Sequence, residues 1–145
     1  MRSLNALLRV ALISMVLEGP LVSVSKADDA DADKVERGRY LVEEVARCQD
    51  CHTPRLKTGE LDKANWLKGA TLDFQPMNPV PKWHAKSPDL TASGRLMQRW
   101  GEKGLTEFLK TGLGPTGNTA DPPMPRYKLK ADDADAIVAY LKTLK

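Results

Sequence analysis

The clearest periodic segment of the chain is its last. From about Ala131 to Leu144, Ala134, Ile137, Val138, Leu141 and Leu144 recur at helical spacing, with Asp132 and Asp133 in the first turn and Lys142 and Lys145 at the end. That charge order suits the helix dipole. A second helical stretch runs from Lys34 to Ala46, where Val35, Leu41, Val42, Val45 and Ala46 carry the apolar stripe and Gly38 interrupts it. The acidic, alanine-rich start at residues 28–33 reads as a frayed lead-in. A third helix is expected from about Gly101 to Lys110, striped by Leu105, Phe108 and Leu109 and closed by Thr111-Gly112. Between these lie residues 53–95 and 112–125, broken by Pro and Gly throughout. No strand pattern of comparable quality occurs, and there is no internal repeat. The expectation is an all-α domain with long ordered loops, and loops of such length are uncommon unless they pack on something.

The first 27 residues have a different character. Arg2 and Arg9 are basic, Val10 to Leu17 is a short apolar run, Gly19-Pro20 ends it, and Ser25-Lys26-Ala27 offers small residues before Asp28. This is the layout of a secretory signal peptide, and the run is shorter than the ~20 residues a membrane span needs. The competing reading is an uncleaved amphipathic anchor. The expected organisation is a leader over 1–27, a single domain over 28–145 and a periplasmic location. The chain has 145 residues and a formal charge of +3. Removing Arg2, Arg9, Lys26 and Glu18 with the leader leaves 19 basic against 18 acidic residues, a net +1. A near-neutral body excludes nucleic acid as an expected partner. Aromatic residues make up only 6%, so a core built from this chain alone is thin.

The chain has two cysteines, in Cys48-Gln49-Asp50-Cys51-His52. C-x-x-C-H is the attachment signature of c-type haem. Two thiols three residues apart reach the two vinyl groups of one porphyrin, and the next residue offers an imidazole to the iron from the same side. A thioredoxin-like thiol pair needs a βαβ setting that the pattern lacks. A structural zinc site needs four ligands, and Cys48, Cys51, His52 and His84 supply them only with Cys51 and His52 awkwardly adjacent. The sixth iron ligand has four candidates. Met97 sits among Leu96 and Trp100 and reads as core filler. Met77 lies in a loop, and His84 gives bis-His ligation. Met124, held in Pro122-Pro123-Met124-Pro125, is preferred because the flanking prolines stiffen the loop and leave its thioether little entropy to lose. His52 is expected to donate its other ring N–H to a backbone carbonyl. Arg47, Arg55, Arg126 and Lys128 lie near the ligands in sequence and are candidates for a basic rim, or simply for a solvated face.

With these residues in view, the chain resembles class I cytochromes c, in particular small periplasmic mono-haem proteins and the haem subunits of dehydrogenases. The resemblance runs over nearly all of residues 34–145. It begins with Gly38-Arg39-Tyr40-Leu41 and the Cys48–Pro54 segment and continues with Ser87-Pro88-Asp89-Leu90-Thr91. Trp100 through Gly112, Pro123-Met124-Pro125-Arg126-Tyr127 and Ala136 through Leu141 complete it. It implies the cytochrome c fold: about three to five helices around one covalent haem c. The terminal helices then cross where Gly38 and Tyr40 meet Tyr140 and Leu141. It also implies axial ligation by His52 and Met124, and electron transfer without a substrate pocket, as a soluble monomeric carrier or as a subunit serving a dehydrogenase or a terminal oxidase. The alternative is a haem enzyme or gas-binding protein with an open or exchangeable sixth position. Two departures stand out. Lys130 occupies the place where Ser or Thr usually caps the last helix, and residues 55–88 match the family less well. Trp66 and Trp83 are candidates there to donate indole N–H groups to the haem propionates, or to pack plainly.

Overall fold

The computed structural model describes residues 26–145, with side chains from residue 29. Residues 1–25 of the expected leader lie outside that range. Four α-helices appear: α1 (Lys26–Tyr40), α2 (Gln49–His52), α3 (Arg95–Thr111) and α4 (Ala131–Thr143). A π-helical turn over Leu41–Val45 and a short 3-10 turn over Lys63–Asn65 join them. The described residues hold no strand longer than isolated bridges, which bear out the all-α expectation. No helix among them is long and apolar enough to cross a membrane.

The helix α1 begins earlier than expected. Residues 28–33 are helical, as alanines at 30 and 32 favour, and Arg37 ties the helix to α4 through Asp133 at 2.9 Å. Its buried stripe is narrow: Gly38, then Leu41 and Val42 in the π turn. Gly38 lies flat against α4. A Cβ there would collide with the Ala136 carbonyl oxygen and approach the Tyr140 Cβ to 2.8 Å. The two backbones touch at this point, and only a residue without a side chain permits it. Tyr40, expected in the crossing, is 48% exposed instead and has the Arg37 guanidinium over its ring. Two positions along from Gly38 falls about 200° around a helix, off the buried stripe.

The helix α3 is about two turns longer than the pattern predicts. It starts at Arg95 and passes through Gly101, whose φ of 64° and ψ of 178° break the helical path. Only glycine adopts such a conformation without strain. Leu96, Met97 and Trp100 before the break and Leu105, Phe108 and Leu109 after it face the interior, and Trp100 meets Phe108 edge-on at 5.3 Å. The helix α4 is buried on two sides. Ala136 and Tyr140 face α1, while Ile137 and Leu141 turn toward the loops.

Lys130 stands at the N-cap of α4 with cap-like dihedrals (φ −64°, ψ 154°) and no side-chain cap bond. It also sets a positive charge at the positive end of the helix dipole. Lys130→Ser is expected to stabilise the folded protein by about 1 kcal/mol. The measurement is the denaturant midpoint at unchanged slope, and an unmoved midpoint contradicts the capping account.

Candidate functional site

The π turn matters because it delivers the motif. Its wide register carries the chain over the α1–α4 crossing, with Ala46 N–H bonded to Leu41 O at 2.8 Å and Cys48 N–H to Val42 O at 2.9 Å. Gln49 is buried and donates from Nε2 to Glu43 O at 2.7 Å. Arg47 turns the corner with φ 50° and pairs with Asp50 at 2.8 Å. The short α2 then holds Cys48 as its cap residue and Cys51 and His52 within it.

Cys48, Cys51, His52 and Met124 all line one cavity of about 470 Å³. Leu96, Trp100 and Phe108 from α3 and Ile137 and Leu141 from α4 make its floor, and Tyr127 and Leu129 add to it. This is where the thin core leads: the apolar faces of two helices and two loops converge on a space that the chain's own side chains leave to another apolar group. A wider groove of about 730 Å³ runs between α1, α3 and α4, but Asp, Glu and Lys line much of it and it carries none of this chemistry.

His52 is 5% exposed. Its Nδ1 lies 2.8 Å from the Pro88 carbonyl oxygen. A carbonyl can only accept, so Nδ1 carries the proton and Nε2 keeps its lone pair. Burial holds its pKa below the ordinary histidine value, with the Pro88 bond opposing in part, and the ring is neutral at pH 7. The expected bond to a backbone carbonyl is present. Burial pushes the Cys48 thiol up to about 11 and raises Cys51 as well, chiefly by the same cause.

The candidate sixth ligands separate cleanly in space. Met97 is buried in the core, as filler should be, and Met77 is fully exposed. His84 lines the cavity, but its side chain is 64% exposed and Nε2 lies 3.2 Å from Asp121 Oδ2. The loop bearing Met124 is fixed by Met124 N–H to Asp121 O at 3.2 Å and by His84 N–H to Pro122 O at 2.8 Å. Neither Trp66 nor Trp83 lines the cavity. Trp66 lies under Lys63 and beside the Tyr140 hydroxyl, whereas the buried Trp83 indole N–H has no acceptor among the described residues. Of the basic rim, Arg47 and Arg55 are paired with Asp50 and Asp73, while Arg126 and Lys128 form no ion pair among the described residues.

Sequence reasoning passed over Ser87. Its hydroxyl donates to Cys51 O at 2.6 Å and accepts from Ala70 N–H at 2.9 Å. The Ser87-Pro88 dipeptide was visible as a family match, but nothing in its pattern pointed to a bond back onto the motif.

An all-helical domain whose Cys-x-x-Cys-His segment and Pro-bracketed methionine share one apolar cavity defines the class of c-type haem proteins. The comparisons agree, with the family model for cytochrome c matching residues 35–145. The chain belongs to the cytochrome c family, whose members carry electrons on covalently bound haem c. A diheme cytochrome c-type protein of Cereibacter sphaeroides is 35% identical over 116 residues, covering 77% of this chain and 36% of that protein. The fructose dehydrogenase cytochrome subunit of Gluconobacter japonicus is 31% identical, covering 81% of this chain and 23% of the subunit. The gluconate 2-dehydrogenase cytochrome c subunit of Pantoea cypripedii is 34% identical, covering 74% and 25%. The chain therefore spans between about a quarter and a third of the length of these relatives.

Proposed function

We propose that this chain is a periplasmic electron-transfer protein that holds one haem c, thioether-linked to Cys48 and Cys51 and ligated axially by His52 and Met124. The observation that carries this reading is the meeting of both thiols, the His52 imidazole and the Met124 thioether on one apolar cavity.

The bound haem supplies a one-electron ferrous/ferric couple. Everything else falls to the chain. Cys48 and Cys51 fix the position of the group, so no affinity is lost when its charge changes. His52 offers Nε2 because Pro88 holds the proton on Nδ1. Met124 offers a soft thioether that favours the ferrous state and raises the potential. The apolar floor excludes water and works in the same direction. No side chain is required to move a proton, as befits a carrier rather than an enzyme.

Residues 1–27 serve as the export leader in this reading, and the partners are other redox proteins. Two of the relatives named above are cytochrome subunits of dehydrogenases, which favours a dehydrogenase as the electron source and a place within its complex. The decisive experiment sets the mass of the exported protein beside its visible spectrum. The expected result is the mass of residues 28–145 plus one haem, with a low-spin spectrum. A colourless product at the bare polypeptide mass ends the proposal.

A further inference from the structure

Cys51-His52 and Ser87-Pro88 face each other as two short steps of chain, joined at both ends. The Ser87 hydroxyl donates to Cys51 O at 2.6 Å, and His52 Nδ1 donates to Pro88 O at 2.8 Å. The four residues close a ring. A third segment braces it: Ala70 N–H donates to Ser87 Oγ at 2.9 Å, Ser87 N–H to Ala70 O at 2.9 Å, and Gly69 N–H to His52 O at 2.8 Å. A hydroxyl has one proton, so of the two carbonyls in reach, Cys51 O at 2.6 Å takes it over Ala70 O at 3.3 Å. Pro88 has no N–H with which to hold its own position. The placement of its carbonyl on the imidazole therefore rests on its neighbours in the chain: Leu90 N–H on Leu67 O at 2.9 Å behind it, and Ser87 in front.

We propose that Ser87 is a positioning residue for the axial histidine: by bonding Cys51 O and Ala70 N–H it aims the Pro88 carbonyl at His52 Nδ1 and so helps set the reduction potential. The inference rests on the haem reading above. A short Nδ1–H···O=C bond pushes electron density toward Nε2 and makes the imidazole a stronger donor, which favours the ferric state. Without the hydroxyl, one end of the ring opens, Ala70 N–H and Cys51 O lose their partner, and the Pro88 carbonyl is held less tightly, by the backbone bonds of Ser87 N–H to Ala70 O and Leu90 N–H to Leu67 O alone. The imidazole then donates less, and the ferrous state gains.

The test compares the matured parent, Ser87→Ala and Ser87→Thr by spectroelectrochemistry. Ser87→Ala is expected to keep its covalent haem and its methionine ligation. Its ferrous-to-ferric ratio at a fixed electrode potential should rise on the order of tenfold; tenfold corresponds to about 59 mV for a one-electron couple. Ser87→Thr, which retains the hydroxyl, should return to the parent ratio. An alanine variant with the parent ratio overturns the proposal. Should Ser87→Ala fail to accumulate, Ser87→Thr decides: haem protein at the parent potential supports the role of the hydroxyl, and loss of the threonine variant as well refutes it. A parent that carries no haem is a different result, and removes the underlying reading instead.

Discussion

Met124→Ala is expected to yield a protein that keeps its haem, since Cys48 and Cys51 are untouched, but loses the weak far-red sulfur-to-iron band of the ferric form. Of the three methionines at 77, 97 and 124, only Met124 lines the cavity; Met97 is sealed in the core and Met77 stands in solvent. With the ligation proposed above, removing the thioether opens the sixth position and takes away the ligand that favours ferrous iron. Axial ligand identity moves haem potentials over a range of about 0.8 V, so a fall on the order of 0.2 V is expected. The ferrous variant should bind CO. His84 lines the same cavity, but Asp121 holds its ring at 3.2 Å; if it swings in, CO binding is lost while the far-red band stays absent. Met77→Ala is the control and should leave every property as it was. A Met124→Ala spectrum identical to the parent's would falsify the ligand assignment.

Gly38→Ala offers a test in which two effects predict opposite signs. Helix propensity favours alanine in mid-helix by about 1 kcal/mol. Sterically, the new methyl would fall on the Ala136 carbonyl oxygen and lie within 2.6 Å of its carbon. Both are backbone atoms, so no rotamer change relieves the clash and α1 must move off α4. Overpacking of this kind costs about 1–3 kcal/mol, occasionally more. With the contact this close the upper part of that range applies, and the net expectation is a loss of about 2 kcal/mol. Guanidinium unfolding of the two proteins gives the answer. A variant as stable as the parent, or more stable, means that the helices do not touch at this residue.

Several of these features are legible in the chain itself. The helix α4 was readable nearly to its ends because its stripe is unbroken, and the Cys48–His52 motif because C-x-x-C-H is the spacing of the haem-attachment signature. Met124 stands out by its flanking prolines, and the structure places it on the cavity. The helix α3 was cut short because Gly101 looks like a boundary; in space it is a break within a longer element, and Leu96, Met97 and Trp100 already had helical spacing. The start of α1 was missed because residues 28–33 are too polar to show a stripe, although alanine and acidic residues suit a helix that is almost wholly exposed. Tyr40 went astray because the narrow stripe ends one position short of it. Ser87 could not be found by any periodicity, since its bonds span 36 residues to Cys51 in α2 and reach a second loop at Ala70. Long-range polar contacts between irregular segments leave no repeating mark in a sequence.

The two halves of the cavity wall are tethered unequally. His52 and its neighbours are stitched to residues 67–70 and 87–88 by a dense set of bonds, among them Leu67 N–H to the buried Thr53 hydroxyl at 2.9 Å. Among the described residues the opposite half is held by fewer: the Pro122 and Asp121 contacts, Leu129 N–H to Leu109 O at 3.0 Å and the Tyr127 hydroxyl to Ala46 O at 3.4 Å. Thermal agitation acts first where ties are fewest. The molecule is thus stiff as a hull on one flank and sprung as a hatch on the other, and small reorganisations have a preferred side on which to occur.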